Sequence, residues 1–242
     1  MSANRLRALI FDVDGTLAET ERDGHRPAFN AAFAEAGLDW HWDEALYGEL
    51  LAISGGKERI LRYAAAHQPD FARLPDAAVR VAALHAAKTR HYAHIAACGA
   101  ISLRPGVRAL LEAARAANLR LAIATTATAE SVAALLEPAL GAGAMGWFAA
   151  VGAGDAVAAK KPAPDVYRWV LARLDLPAAA CIAFEDSANG LKAALGAGIA
   201  TLVTPCGYTR GQDFSGATAI LDSLEGLRLA ELEAALSAAA AV

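Results

Sequence analysis

Residues 6–20, LRALIFDVDGTLAET, constrain the chain more than any other stretch. An apolar run stops at Asp12, Asp14 follows one residue later, and a Gly-Thr turn comes behind. That pattern suits a buried strand with Asp12 at its carboxyl end. Open α/β sheets bind their ligands at that edge. Two carboxylates this close repel each other and call for a cation or a shared proton. Hard oxygen donors favour magnesium. An inert Asp-rich turn and a calcium loop of the D-x-D-x-[DN]-G type are the competing readings. Against the calcium loop, the glycine stands fourth rather than sixth, and a strand rather than a helix leads in.

The 242 residues allow one large domain or a core with an insertion. With 56% hydrophobic and 20% charged residues, the chain can bury a substantial core, and disorder is not expected. A formal net charge of −4 offers no general attraction to nucleic acid or to an anionic membrane. Cys98, Cys181 and Cys206 form no C-x-x-C pair, which argues against a zinc site or a disulfide framework, and Cys181 reads as core packing. No apolar run reaches membrane-spanning length, and MSANRLRALIFDVDG lacks the uncharged segment and cleavage site of a secretory leader. A soluble cytoplasmic protein is expected, and a monomer, since no apolar stripe argues for more.

From about Gly24 to Gly99 the pattern is helical. Ala28, Phe29, Ala32, Phe33 and Ala36 form one stripe, and Gly37 ends that helix. Asp43 can cap a second helix. A third spans Gly56 to His67 with Ile60, Leu61 and Ala64 inward, and a fourth runs from Asp76 to about Cys98 with Val79, Leu84 and Ile95. From Arg104 strands and helices alternate: helix 106–117, strand 119–125, helix 130–136, strand 148–151, helix 165–174, strand 180–184, helix 187–197, strand 200–203. A short strand near Ile220 and a surface helix from Leu224 follow. Alternation of this kind implies a parallel sheet with right-handed crossovers.

Each strand end delivers polar residues. Thr125 and Thr126 close the second strand, where a helix start is a ready anion site; an ordinary N-cap threonine is the plainer reading. In VAAKKPAPD, Lys161 stands just before Pro162 and could bind phosphate or neutralise a carboxylate; a solvated turn is the alternative. Glu185 and Asp186 end the strand of CIAFEDSANG, where Ser187 can cap the next helix and an acidic pair would suit a helix N-terminus. Taken together on one sheet edge, these residues supply a nucleophile, a proton donor, phosphate ligands and a metal site. In the helical block, Lys57 and Arg59 flank Glu58 just after Gly55 and Gly56, whose bare backbone lets N–H groups approach an anion; an ordinary basic helix surface is the alternative.

ALIFDVDGTL, AIAT with Thr125, KPAPD with Lys161, and FEDS resemble the four motifs of the haloacid dehalogenase-type phosphohydrolases over nearly the whole chain. The resemblance implies a Rossmann-like parallel-sheet α/β core, residues 1–20 and 100–242, with an inserted all-helical C1-type cap, residues 21–99. DGTLAETE, the W-x-W-D from Trp40 to Asp43, SGGKERI and YTR from Tyr208 to Arg210 are most similar to the β-phosphoglucomutase-like members, especially CbbY-type xylulose-1,5-bisphosphate phosphatases.

By that likeness Asp12 is the nucleophile that becomes an aspartyl-phosphate. Asp14 is the general acid and then base. Mg²⁺ is held by Asp12, the Asp14 backbone carbonyl and Asp186, with Glu185 a ligand or a supporting partner. Thr125 and Lys161 bind the transferring phosphoryl group. Lys57 and Arg59 are expected to hold a second phosphate, and Glu19, His25, Tyr47, Thr126 and Arg210 to contact a phosphorylated sugar. His25 can equally pack at the cap hinge. The implied activity is removal of phosphate from xylulose-1,5-bisphosphate, an inhibitor of the Calvin-cycle enzyme Rubisco. A β-phosphoglucomutase, a broader sugar-phosphate phosphatase and a non-catalytic sugar-phosphate sensor are the alternatives.

Overall fold

A computed structural model describes residues 5–53 and 55–239. The chain forms two compact units: residues up to Glu19 together with those from Ser102 onward, and Thr20–Ile101 between them. The leaderless start read from the first residues lies partly outside the described range.

In the first unit six parallel strands form one sheet among the described residues. They are β1 (Ala8–Phe11), β2 (Arg120–Ala124), β3 (Phe148–Gly152), β4 (Cys181–Glu185), β5 (Ala200–Val203) and β6 (Ala219–Ile220), in the order β3-β2-β1-β4-β5-β6. All four residues of β1 are buried, because a central parallel strand is covered on both faces; hence the unbroken apolar run rather than an alternating one. Phe11 pairs with Ile123 of β2 and Phe184 of β4, and its ring stacks on Phe184 at 4.7 Å. Asp12 directly follows β1 and Glu185 is the last residue of β4, so both stand at the carboxyl edge. Strand order reverses between β1 and β4, the place where a crevice opens in such sheets.

The second unit is helical: α1 (Arg26–Glu35), α2 (Glu44–Leu50), α3 (Gly56–His67), α4 (Pro69–Ala72) and α5 (Ala77–Ala97). Asp43 caps α2, its carboxylate accepting from the Leu46 N–H. Aromatic rings fill the centre: Trp42 lies 4.7 Å from Phe29, 4.9 Å from Phe33 and 5.4 Å from Tyr63. Three expected inward residues face water instead. Ala36 follows the end of α1, Leu61 is 44% exposed and Val79 is 71% exposed. Tyr63 takes the inward place beside Ile60 and Ala64, and on α5 the buried line runs through Val81, Leu84, Tyr92 and Ala96, with Ile95 only half-buried. Tyrosines, with an apolar body and a polar tip, set these faces.

Returning to the sheet unit, the helices are α6 (Val107–Ala116), α7 (Ala129–Leu140), α8 (Asp165–Leu174), α9 (Ala188–Gly196) and α10 (Leu229–Ala239). Helix α7 runs past its expected end at Leu136 and carries Pro138 in its last turn, while α10 starts at Leu229 rather than Leu224, behind turns at 224–228. Tyr167, Val170 and Leu174 of α8 pack with Ala193 and Ala194 of α9 on Ala8, Ile10, Ala122 and Ala183 of the sheet. Cys181 is buried at the foot of β4, where burial pushes its thiol up to about 11. No described helix is long and apolar enough to cross a membrane.

Candidate active site

Three carboxylates and one ammonium meet at the carboxyl ends of β1 and β4. Lys161 Nζ donates to Asp12 Oδ1 at 2.7 Å and to Glu185 Oε1 at 2.6 Å. Tyr167, on the buried face of α8, donates its hydroxyl to the same Glu185 Oε1 at 2.6 Å. Asp12, Glu185 and Asp186 are all buried, and one oxygen from each lies within 4.8 Å of the others. Asp14, three residues beyond the end of β1, is half-buried; its backbone pairs with Ala18. Gly190 of α9 is needed as glycine, since a Cβ there would overlap the Glu185 carboxylate, and the Ser187 hydroxyl caps that helix by accepting from the Gly190 N–H.

The charges do not balance. Burial, reinforced by the Asp12 and Glu185 charges, lifts the Asp186 carboxyl well above the usual carboxylate range. Burial also pushes Glu185 up to about 7, with Lys161 pulling the other way. For Lys161 burial opposes the charge, but Asp12 and Glu185 outweigh it and raise the ammonium above its ordinary value. Glu185 Oε2 is buried with no hydrogen-bond partner among the described residues. An all-oxygen cluster with excess negative charge and an orphaned oxygen fits a hard divalent cation.

Other residues expected at this edge have local partners. Thr125 is buried and its hydroxyl accepts from the Ala127 N–H at 3.1 Å; the N-cap of α7 is Thr128, not Thr125. Glu19 lies 3.3 Å from Arg104 Nε, and the same guanidinium donates to the carbonyls of Gly15, Thr204 and Pro205. Thr126 and Arg210 are both exposed.

Within the helical unit, Tyr47 is fully buried and donates to Glu21 Oε2 at 2.5 Å. Arg59 donates to the Tyr47 hydroxyl at 3.0 Å and to the carbonyls of Leu50 and Ile53. Its guanidinium therefore braces the turn that precedes α3. Gly55, at φ +94°, is the N-cap of that helix, Gly56 lies against the His85 ring, and Lys57 is exposed. His25 stacks on Tyr92 at 4.0 Å, and its Nδ1 accepts from Lys88 Nζ at 2.8 Å. Burial first, then the charges of Lys88 and Arg59, hold this imidazole well below its ordinary value.

A pH effect follows from His25. The unfolded chain takes up this proton below pH 6.5 while the folded one resists, so the stability that neutral His25 contributes is full above pH 6.5 and is lost as pH falls. The slope is bounded at about 1.4 kcal/mol per pH unit for one proton. Denaturant melts at pH 7 and 5.5 should show a smaller loss in His25→Asn than in the wild type; equal losses would assign the acid sensitivity elsewhere.

A family model described as haloacid dehalogenase-like hydrolase matches residues 6–198. The chain belongs to the haloacid dehalogenase-like hydrolase family. Within it, the sequence is 52% identical over 219 residues to the plasmid CbbY protein of Cupriavidus necator, covering 90% of this chain and 86% of that protein. The crystal structure of CbbY from Rhodobacter sphaeroides in complex with phosphate superposes with a TM-score of 0.79 at 48% identity, covering 92% of this chain and 96% of that one. A structure of an Asp-to-Asn variant of the same protein, with xylulose-1,5-bisphosphate, gives 0.78 over the same shares.

For this hydrolase, sequence reasoning missed Tyr167 and Arg104. Tyr167 looks like one more apolar position in the stripe of Val166, Val170 and Leu174. Arg104 reaches carbonyls 89 to 101 residues away. A polar hydroxyl in the otherwise apolar stripe of α8 was the one available signal for Tyr167; Arg104 carries no local one.

Proposed function

We propose that this hydrolase is a Mg²⁺-dependent sugar-phosphate phosphatase whose substrate is xylulose-1,5-bisphosphate. The observation that carries the phosphatase chemistry is Asp12 at the strand end, held at 2.7 Å by a buried lysine within an acidic cluster. The likeness to a CbbY protein solved with xylulose-1,5-bisphosphate supports the substrate.

Asp12 attacks phosphorus, forming its own O–P bond as the bond from phosphorus to the sugar oxygen breaks. Asp14 gives its proton to the leaving alkoxide, then takes one from the water that attacks the aspartyl-phosphate, which releases phosphate and restores Asp12. Such proton transfer contributes ~10² to 10⁴ in rate. Lys161 offsets the Asp12 charge and the charge on the phosphoryl oxygens. Asp12, Asp186 and the Asp14 carbonyl would hold Mg²⁺, which would supply further positive charge beside those oxygens. Exposed Lys57 is assigned to a second phosphate together with Arg59, three of whose five N–H groups hold Tyr47, Leu50 and Ile53.

Phosphate release from mono- and bisphosphorylated pentoses and hexoses, with and without Mg²⁺, tests this. Pentulose bisphosphate should exceed the monophosphates in kcat/KM by about tenfold or more, the worth of one well-used ionic contact. Equal values would remove the substrate assignment and leave the phosphatase. Interconversion of hexose phosphate isomers without phosphate release would make it a mutase.

A further inference from the structure

Asp186 is steadied by a loop that the proposed chemistry does not use. After β5 the chain turns through Thr204–Thr209. The Thr209 N–H donates to the Cys206 carbonyl at 3.1 Å, and the Cys206 N–H donates to Thr209 Oγ1 at 2.9 Å, so the turn closes on itself. With one lone pair committed to that N–H, the Thr209 hydroxyl proton has two acceptors in reach: Asp186 Oδ2 at 3.3 Å and Cys206 Sγ at 3.4 Å. A carboxylate is the stronger acceptor. Thr209 and Cys206 are both buried, so water does not compete for these bonds.

A second segment also lies against this carboxylate. Gly15, at φ +84°, lies so close that a Cβ there would overlap Asp186. Arg104 then ties the two confining pieces together, donating to Gly15 on one and to Thr204 and Pro205 on the other.

We infer that Thr209 is a positioning residue for the metal site: its hydroxyl, set by the Cys206 turn, fixes the orientation of the Asp186 carboxylate and thereby the affinity for Mg²⁺. This rests on the proposed metal reading. Mg²⁺ demands nearly ideal octahedral geometry, whereas Ca²⁺ tolerates irregular ligand placement. Partners that orient a ligating group are typically worth 10- to 100-fold in metal affinity. Loss of the Thr209 hydroxyl should therefore weaken Mg²⁺ more than Ca²⁺.

Calorimetric titration of Mg²⁺ and of Ca²⁺ into substrate-free protein tests this without turnover. Thr209→Val keeps the shape and loses the hydroxyl; its Mg²⁺ Kd should rise about tenfold, its Ca²⁺ Kd should rise less, and Thr209→Ser should recover most of the loss. A folded Thr209→Val with wild-type Mg²⁺ affinity overturns the inference, as does a Thr209→Ser as weak as Val, or equal losses for both cations. If Thr209→Val does not fold, Thr209→Ala removes the same hydroxyl without branched bulk; it should weaken Mg²⁺ about tenfold, and unchanged affinity overturns the inference. A wild type that takes up no Mg²⁺ brings down the metal reading itself, an outcome distinct from failure in the variants alone.

Discussion

Asp12→Asn is expected to lower kcat by at least about 10⁴-fold while the protein stays folded. The amide keeps the size and planarity of the carboxylate but not its nucleophilicity, so the aspartyl-phosphate cannot form. Stability should not suffer in proportion. Asp12 is one of three buried carboxylates served by a single ammonium, and its charge helps lift both Asp186 and Glu185 above their usual range. Removing that charge lets the other two ionise more easily, and Lys161 keeps Glu185 at 2.6 Å. Metal-free melting should shift by no more than about 1 kcal/mol, in either direction, because relief of repulsion offsets the lost Lys161 contact. Mg²⁺ affinity should fall, since one anionic oxygen is gone. Phosphate release and a denaturant melt on the same preparation decide the matter: turnover near wild type would refute covalent catalysis by Asp12, and loss of the fold would show that its charge is structural.

The sheet edge was legible because its signals are local. A buried parallel strand reads as an unbroken apolar run, and the residue that breaks it must stand at the carboxyl tip; ALIF followed by Asp12 and CIAF followed by Glu185 are the same pattern in two places. The alternation after Arg104 set the order of elements for the same reason. The supports of the site were not legible. Tyr167 differs from its helical neighbours only by a hydroxyl, and its partner Glu185 is brought near by the parallel crossover, not by sequence distance. For Arg59, spacing reveals a cation behind two glycines but not that three of its N–H groups hold Tyr47, Leu50 and Ile53. The outward Leu61 and Val79 were misplaced because the aromatic centre of the helical unit, not hydrophobic count, decides which face turns in.

Lys161→Met should be the most destabilising single change at this edge, about 3–5 kcal/mol at pH 8, because it leaves buried charge without its counterion. The Lys161 side chain is 7% exposed and its ammonium bridges Asp12 and Glu185 at 2.7 and 2.6 Å. Methionine fills nearly the same space, so the cost is electrostatic rather than a cavity. The cost must therefore depend on pH, with a sign set by the carboxyls. Without the lysine, Glu185 and Asp186 are lifted further above their unfolded values, and the folded variant holds protons that the unfolded chain releases. Stability arising in this way is fully present below about pH 4.5 and is lost as pH rises through the folded values. The gap between wild type and Lys161→Met should then be small at pH 4.5 and widen steadily to pH 8. Mg²⁺ should narrow it at pH 8, by supplying the positive charge that the methionine variant lacks, without restoring turnover. Lys161→Arg should recover stability more than activity, since a planar fork cannot place one point charge between the same two oxygens. Denaturant melts at the two pH values, with and without Mg²⁺, give the answer: a gap that does not change with pH would mean that packing, not charge, is what Lys161 contributes beside Asp12.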